Sequence, residues 1–393
     1  MVCPENPRMA IVRIKKSILG GSGLFSKENF DADFTILSIP LSECLSRKYI
    51  ENNFKFIGNE RMQIILFLAF AFNNESQFKS YVDSLPRNFN TPPFLNHDIL
   101  SKTQLLQPTI AKLNKLQTEF DQISNLVDID FNTFKIIDAI YWSRVLEIDD
   151  CKYLVPTLDS CNHSFKPNCF WKVEGENILL ITNHELKADS ELTISYGDKT
   201  NLELFFIHGF VDRSNPNNHL FSFMPPIIDQ DEATILQKVK AINSIFKSPK
   251  ISIKSPSTPK LQSIFVDLES FCIVLISIMQ VEDGISFFDN ECYFDGELAS
   301  KEVDFVSFYQ CEPRPLLELK IVVVLENVLN ELKGNLITND DLDLSQADIK
   351  DVEWLIQADM KVLDDVLDLL SNLKDGLCKI DVVVEFLKNE SNF

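Results

Sequence analysis

The 393 residues exceed one ordinary domain, so the length predicts two or three. The formal net charge is −21, from 58 acidic and 37 basic residues. Proteins that bind nucleic acid usually carry a basic surface, so we expect no direct nucleic-acid partner. An acidic protein suits a basic protein partner, because complementary charges steer the encounter.

The nine cysteines are odd in number, are spread along the chain and include no CxxC pair. This usage is typical of reduced thiols and not of a disulfide framework, so we expect a cytoplasmic protein, with the nucleus as a second compartment. The N-terminus lacks the apolar segment of a signal peptide. The most apolar stretch, Phe271–Met279, is too short to span a bilayer. We therefore expect no membrane association. We also expect a monomer.

The first half of the chain alternates between strand and helix patterns. Strands are predicted at 10–14 and 34–39, from β-branched runs on either side of a glycine cluster. Residues 45–137 are predicted to be helical, with apolar runs of helix length ended by proline or polar residues. The predicted helices are Arg61–Phe72, Gln77–Leu85, 109–127 and Ile136–Leu146, and the strands that follow them are Cys169–Val173, Ile178–Thr182 and Glu191–Tyr196.

From about residue 223 the pattern is mainly helical. We expect Gly376 to lie just beyond a helix as its C-terminal cap. The Lys/Ser/Pro-rich segment 247–260 is predicted to be an exposed basic loop. The apolar positions of the predicted helix 351–374 are most simply a packing face. The predicted helices are 232–246, 261–280, 315–333, 351–374 and 379–388.

Three short motifs are candidates for chemistry. The first is the cluster Gly20-Gly21-Ser22-Gly23-Leu24-Phe25. Glycine allows positive φ and close approach of the backbone to a ligand. An ordinary hairpin turn is the commoner use of such a cluster, so alone it is weak evidence.

The second motif packs polar side chains into Asp159-Ser160-Cys161-Asn162-His163-Ser164, after the apolar run Tyr153–Val155. It suits a ligand with amino, carboxylate and purine edges. A loop that caps its own backbone is the alternative.

The third motif is Glu191–Tyr196 followed by Gly197, with Asn201-Leu202-Glu203-Leu204 and His208-Gly209-Phe210 shortly after. A tyrosine at a strand end can aim its hydroxyl into a pocket. A core tyrosine with a satisfied hydroxyl is the commoner case.

In this order, and with Ser143-Arg144 between the first two, the motifs resemble those of SET-domain methyltransferases. The resemblance is strongest to the subgroup typified by the Rubisco large-subunit lysine methyltransferase. It implies an α+β fold: a knotted, mainly β SET domain, split by a helical insert and followed by an all-helical C-terminal domain that binds substrate. The corresponding ranges are 1–44 and 138–222 for the SET domain, 45–137 for the insert and 223–393 for the C-terminal domain.

The resemblance also implies S-adenosylmethionine as cofactor and a role for each matched position. Tyr196 matches the catalytic tyrosine and borders the cofactor. Arg144 would hold the cofactor carboxylate. Asn162 and His163 would contact its methionine and adenine parts, and Asp159 would support the pocket. The backbone that lines the pocket would come from Gly20, Gly21, Ser22 and Gly23.

Two positions depart from the family pattern. The family often has an aromatic residue at the position of Leu146 and a tyrosine at that of His208. Both belong to the substrate lysine channel in relatives. Their replacement leaves the degree of methylation and the target side chain open.

The resemblance implies a protein-lysine N-methyltransferase that acts on a non-histone protein. The subgroup includes enzymes for ribosomal proteins, elongation factors and cytochrome c, and the translation machinery is the expected target. The alternatives are cytochrome c, a histone, a histidine side chain, or a SET-like binding module without turnover. We expect no metal, since Cys161, His163 and Cys169 lack the four regularly spaced ligands of a zinc site.

Overall fold

The computed structural model describes residues 10–55, 58–229, 231–246, 249–311, 313–336 and 349–390. The chain divides into two compact units. The first comprises Met1–Leu95 and Gln107–Asn217, and the second comprises Asn96–Leu106 and Asn218–Phe393. The short segment 96–106 thus belongs with the C-terminal half, although in sequence it lies within the predicted insert. Cys3 and residues 247–248 of the predicted basic loop lie outside the described residues.

The first unit contains three small sheets, and the strands predicted from the sequence are confirmed within one or two residues. The sheets have the orders β1-β2-β10-β7, β3-β9-β8 and β4-β6-β5. Most of their buried side chains form one apolar core, while Leu45 of β4 and Leu154 of β6 pack in the core of the helices. The strands are β1 (Val12–Lys16), β2 (Ser22–Ser26), β3 (Thr35–Pro40), β4 (Leu45–Ser46), β5 (Leu146–Ile148), β6 (Cys151–Leu154), β7 (Asn162–His163), β8 (Cys169–Glu174), β9 (Asn177–Thr182) and β10 (Glu191–Ile194).

The helices of the first unit begin at side-chain caps that the sequence supplies. Asn59 and Asp130 each accept a hydrogen bond from a backbone N–H three residues on, and Thr200 forms a reciprocal capping box with Glu203. Most of these helices share a second apolar core. The helices are α1 (Arg47–Asn53), α2 (Glu60–Asn73), α3 (Lys79–Ser84), α5 (Leu106–Ile123), α6 (Phe131–Arg144) and α7 (Asn201–His208); α4 (His97–Leu100) belongs to the second unit.

A buried ion-pair network fixes the position of α6. The Asp138 side chain is 1% exposed, and its carboxylate lies 2.5 Å from Arg61 on α2 and 3.1 Å from Lys112 on α5. A buried carboxylate needs such partners, because desolvation without them is costly. The network ties three helices together and so places the end of α6, where Arg144 lies. The predicted helix Ile136–Leu146 was too long at this end, because the chain turns at Val145 into strand β5.

The second unit is mainly helical, as expected, with two small sheets that the sequence did not indicate: β11-β12 and β13-β14-β15. Its helix α12 packs with the expected apolar face: Val352, Leu355, Val362, Leu363, Val366 and Leu370 are buried. Its other elements are α8 (Glu232–Ile245), α9 (Leu268–Ile278), α10 (Glu302–Gln310), α11 (Pro315–Leu336), α12 (Ile349–Leu377), α13 (Asp381–Glu390), β11 (Phe221–Phe223), β12 (Ile251–Ile253), β13 (Ile285–Phe288), β14 (Glu291–Phe294) and β15 (Glu297–Ala299).

Three expectations for the second unit were wrong. Ile251-Ser252-Ile253 is no exposed loop: both isoleucines are 0% exposed and the segment pairs with β11, so its alternating pattern outweighed the surrounding Lys and Pro. Gly376 lies inside α12 and caps nothing, since the helix continues to Leu377. The predicted helix 261–280 is a 3-10 turn (Leu261–Ile264) and α9, separated by the Asp267 cap.

No helix in the described ranges is both long enough and apolar enough to cross a membrane.

Candidate functional site

Strand β10 brings the three sequence motifs to one place. It pairs antiparallel with β2, with Leu192 opposite Leu24, and parallel with β7, with Thr193 opposite Asn162. The glycine turn between β1 and β2, the Asn162-His163 dipeptide and the approach to Tyr196 therefore share one sheet. The first motif lies more than 100 residues before the other two in sequence, and strand pairing joins all three.

A hydrogen-bonded group centred on Glu191, which we call the Glu191 network, links these segments. It consists of Ser17, Asn162 and Glu191. The Asn162 side-chain amide donates to Glu191 Oε1 at 2.7 Å and to the Ser22 carbonyl at 3.3 Å. The Ser17 hydroxyl lies 2.7 and 2.8 Å from the two carboxylate oxygens. Sequence reasoning missed Ser17 and Glu191, since both look like ordinary strand-end residues until the strands pair.

The glycines of the first motif serve two different needs. Gly20 and Gly21 have φ of +119° and +57°, a region that favours glycine, and a side chain at either would meet open space. Gly23 has ordinary backbone geometry, but a Cβ there would lie 2.2 Å from Glu191 Oε1. The turn therefore needs glycine at 20 and 21 for conformation and at 23 for room.

A second polar group, the Asp159 network, consists of Tyr81, Arg144 and Asp159. The Asp159 side chain is 1% exposed and accepts a hydrogen bond from the Tyr81 hydroxyl at 2.5 Å. Arg144 Nη1 donates to the Asp159 backbone carbonyl at 2.9 Å and lies 3.5 Å from carboxylate atom Oδ1. Burial raises the pKa of Asp159, while Arg144 and Tyr81 act in the opposite direction.

Tyr81 was not among the predicted site residues. It lies in the predicted helix Gln77–Leu85, where a tyrosine looks like part of the apolar packing. Its contact partner Asp159 lies 78 residues away in sequence, so no local sequence pattern predicts the contact. The predicted insert thus supplies a polar side chain to the second motif.

The third group surrounds Tyr196 and consists of five rings in tilted or edge-on contact, which we call the ring cluster. The ring centroid of Tyr196 lies 4.6 Å from that of His208 and 5.2 Å from that of His163. The His208 and Phe210 centroids are 6.1 Å apart. The members are His163, Phe165, Tyr196, His208 and Phe210.

Both ends of Tyr196 are held by the second motif. Its hydroxyl donates to the Cys161 carbonyl at 2.8 Å, and its backbone N–H donates to His163 Nδ1 at 3.0 Å. Burial raises the pKa of Tyr196, so the phenol is neutral at physiological pH. Because its proton is committed to a carbonyl, the phenolic oxygen keeps its lone pairs to accept a hydrogen bond. Strand β10 ends at Ile194, two residues earlier than predicted.

The two histidines of the ring cluster are neutral. Burial lowers the pKa of both, that of His208 to about 3. Since His163 Nδ1 accepts from Tyr196, the neutral ring carries its proton on Nε2. Within the described part of the chain, Nε2 of His163 and Nε2 of His208 are buried without a hydrogen-bond partner. Buried polar atoms are rarely left unpaired, so these two suit a bound ligand.

The two positions that depart from the family pattern are placed differently. His208 is the last residue of α7, and the following Gly209 has φ +78° and lies close to the backbone of Asn90 and Thr91. Leu146 is the first residue of β5 and packs on the same core as Tyr196.

The histidines outside the ring cluster differ in their exposure to solvent. His97 and His184 are exposed. His219 lies in a loop of the second unit, where its side chain is 10% exposed and lies 2.6 Å from the buried carboxylate of Asp359. In the ranges that the structure describes, no group of three or more His, Cys, Asp or Glu residues could hold a metal ion.

Comparison with known proteins agrees with this geometry. The SET domain family model matches residues 21–197. The chain is 25% identical to SET domain-containing protein 8 of Schizosaccharomyces pombe, over 97% of this chain and 95% of that protein. It is 24% identical to the ribosomal lysine N-methyltransferase set10 of the same organism, over 53% of this chain and 41% of that protein.

Among solved structures, the fold resembles the SET domain of LSMT bound to lysine and AdoHcy, with a TM-score of 0.74 and 16% identity over 94% of this chain and 89% of that one. Rubisco LSMT bound to AdoMet gives a TM-score of 0.72 with the same identity and coverage. Residues 21–197 therefore match the SET domain family, and the fold of the chain is that of the Rubisco LSMT structures.

Proposed function

We propose that this protein is a protein-lysine N-methyltransferase that uses S-adenosylmethionine. The observation that carries the proposal is Tyr196, whose hydroxyl proton is committed to Cys161 and whose oxygen is free to accept, flanked by two neutral imidazoles. The SET-domain match and the fold of structures solved with AdoMet and with lysine support it. The cofactor would supply a methyl group on a sulfonium, the electrophile for an amine.

The ring cluster suits an amine that must arrive uncharged. Methyl transfer is an in-line displacement, so the nitrogen has to present a lone pair and not a proton. A partly buried aromatic site disfavours the ammonium form and lowers the pKa of a lysine that enters it. The Tyr196 oxygen can accept an N–H of the free amine and so direct the lone pair toward the methyl group.

The polar networks suit the cofactor. The backbone of Gly20–Gly23, the side chains of Asn162 and Arg144, and the buried Nε2 of His163 offer donors and acceptors for a charged amino-acid moiety and a purine. Asp159 offsets the Arg144 charge only from 3.5 Å, which leaves the guanidinium able to attract a carboxylate. The unpaired nitrogen of His163 is the structural feature that most needs such a ligand.

We further propose a substrate from the translation machinery, for which the similarity to the ribosomal enzyme set10 is the support. The charge of −21 favours a basic segment around the target lysine. We propose residues 45–137 as an insert and 223–393 as the region that selects the protein substrate. A cytoplasmic enzyme that also reaches the nucleus would meet such substrates.

The proposal is tested with labelled S-adenosylmethionine and a methylation-deficient lysate from the organism of origin. We expect labelled lysine in a small number of proteins, identified by mass spectrometry, and no label with Tyr196→Phe. Cofactor at 100 times its Kd should add about 2.7 kcal/mol to the free energy of unfolding. Cofactor binding without transfer to any protein would favour a non-catalytic module. No change in melting temperature at millimolar cofactor would overturn the proposal.

A further inference from the structure

Glu191 lies where three segments of the site meet. It begins strand β10, contacts the Ser17 hydroxyl at the start of the β1–β2 turn, and contacts the Asn162 amide on β7. These contacts join residues 174 and 29 positions apart in sequence. The carboxylate thus connects the glycine turn to the polar motif.

The carboxylate is suited to this position by its acceptor capacity. Ser17 lies within 2.8 Å of both oxygens, while Asn162 uses Oε1. A glutamine offers one acceptor oxygen, so Asn162 and Ser17 would have to share it as donors. The space around Oε1 is also narrow, because Gly23 leaves room for this oxygen only by having no Cβ.

The Glu191 charge has no cation beside it. Among the ion pairs within 4 Å in the described residues, none involves Glu191, whereas neighbouring Asp189 pairs with Arg13 and Lys15. Both hydrogen-bond donors to Glu191 are neutral. An uncompensated carboxylate beside a pocket raises the local preference for a positive ligand.

We propose that Glu191 is a positioning residue of the cofactor pocket: it fixes Ser17 and Asn162, and its unpaired charge favours the sulfonium of S-adenosylmethionine over the neutral thioether of S-adenosylhomocysteine. This inference rests on the proposed function, since it assumes that this pocket holds the cofactor. It gives the site a means to retain the methyl donor and release the demethylated product, which differ by one positive charge near the same carboxylate.

Calorimetric titration of both ligands into the full chain tests the inference. Glu191→Gln should weaken S-adenosylmethionine about tenfold and S-adenosylhomocysteine about two- to threefold, since only the first gains from the charge. Ser17→Ala keeps the charge and should weaken both ligands by the same factor. Glu185→Gln removes an exposed carboxylate from the loop before β10 and is the matched control, with no effect on either ligand.

The possible outcomes distinguish a failure of the inference from a failure of the proposed function. Equal weakening of both ligands by Glu191→Gln, or no weakening of either, overturns the inference. A wild-type protein that binds neither ligand overturns the proposed function itself. If Glu191→Gln fails to fold, Glu191→Asp shortens the side chain and keeps the charge. That variant should lose affinity for both ligands with their ratio unchanged, and a changed ratio would contradict the inference.

Discussion

The polar networks and the ring cluster lie side by side in the first unit and meet their hydrogen-bonding needs in opposite ways. In the Glu191 and Asp159 networks, each carboxylate takes hydrogen bonds from side chains that come from distant segments. In the ring cluster, each imidazole keeps one buried nitrogen without a partner. Within the described residues, the Glu191 network leaves no buried side-chain atom without a hydrogen-bond partner, and the Asp159 network leaves only Asp159 Oδ1, which lies 3.5 Å from Arg144. The ring cluster leaves one nitrogen of each imidazole.

This difference separates the groups that stabilise the fold from the groups that remain available to bind a ligand. A satisfied buried network makes the backbone around it rigid, so its loss should affect folding first. A buried nitrogen without a hydrogen-bond partner lowers the stability of the unliganded protein until a ligand pairs with it. Substitution of a residue in the ring cluster should therefore affect ligand binding and turnover more than folding. Each prediction below tests one side of this comparison.

The largest effect is expected for Asp159→Ala. The substitution leaves the Arg144 guanidinium, whose side chain is 20% exposed, without its carboxylate. Removal of one partner of a buried pair should lower the free energy of unfolding by about 3–5 kcal/mol. Urea denaturation measures this. A loss below about 1 kcal/mol would show that the Asp159 network is not a folding element.

Tyr196→Phe should have the largest effect on turnover. The ring remains and only the acceptor oxygen is lost, so kcat should fall on the order of 10²–10³-fold, while cofactor affinity changes far less. Loss of the hydrogen bond to Cys161 should cost about 1 kcal/mol of stability.

The matched control is Tyr81→Phe, which removes a hydroxyl from the Asp159 network. It should weaken stability and cofactor binding and leave kcat of the saturated enzyme within a few-fold of wild type. If both variants gave the same pattern, the distinction between the network and the cluster would be wrong.

His208 predicts a pH effect on stability. Its pKa falls from 6.5 in the unfolded chain to about 3 in the folded protein, mainly because of burial, with contributions from Lys199 and His163. The unfolded chain therefore binds the extra proton, and stability that is complete above pH 6.5 is lost as the pH falls toward 3. His208→Gln should reduce the loss between pH 7 and pH 5 by about 1–2 kcal/mol, allowing for the exposed part of the ring. Melting curves at both pH values measure it, and an unchanged loss would place the titration elsewhere.

The smallest effect concerns charge at long range. If the excess of acidic residues guides a basic substrate, an increase in ionic strength from about 50 to about 300 mM should slow turnover at limiting substrate about two- to fivefold. The rate at saturating substrate serves as the control, because encounter no longer limits it. A rate that does not change with salt would show that charge does not contribute to substrate selection.

The sequence by itself determined several strands and helices of the first unit and the motifs that belong together. Strands at Thr35–Pro40 and Asn177–Thr182 follow from runs of β-branched residues, and α2 follows from an apolar run of helix length. These signals are local, because a residue's backbone preference and burial pattern act over a few neighbours. The resemblance of the motifs to a known family supplied the order in which they come together.

Only the tertiary structure decided which side chains complete the site. Tyr81, Ser17 and Glu191 look unremarkable in sequence, and each gains its role from a hydrogen bond across 29 to 174 residues. The same holds for His219, which had no visible partner until Asp359 lay beside it. Long-range partners depend on the pairing of strands and the packing of helices as a whole. Local periodicity records whether a residue is buried, and it does not record what the residue is buried against.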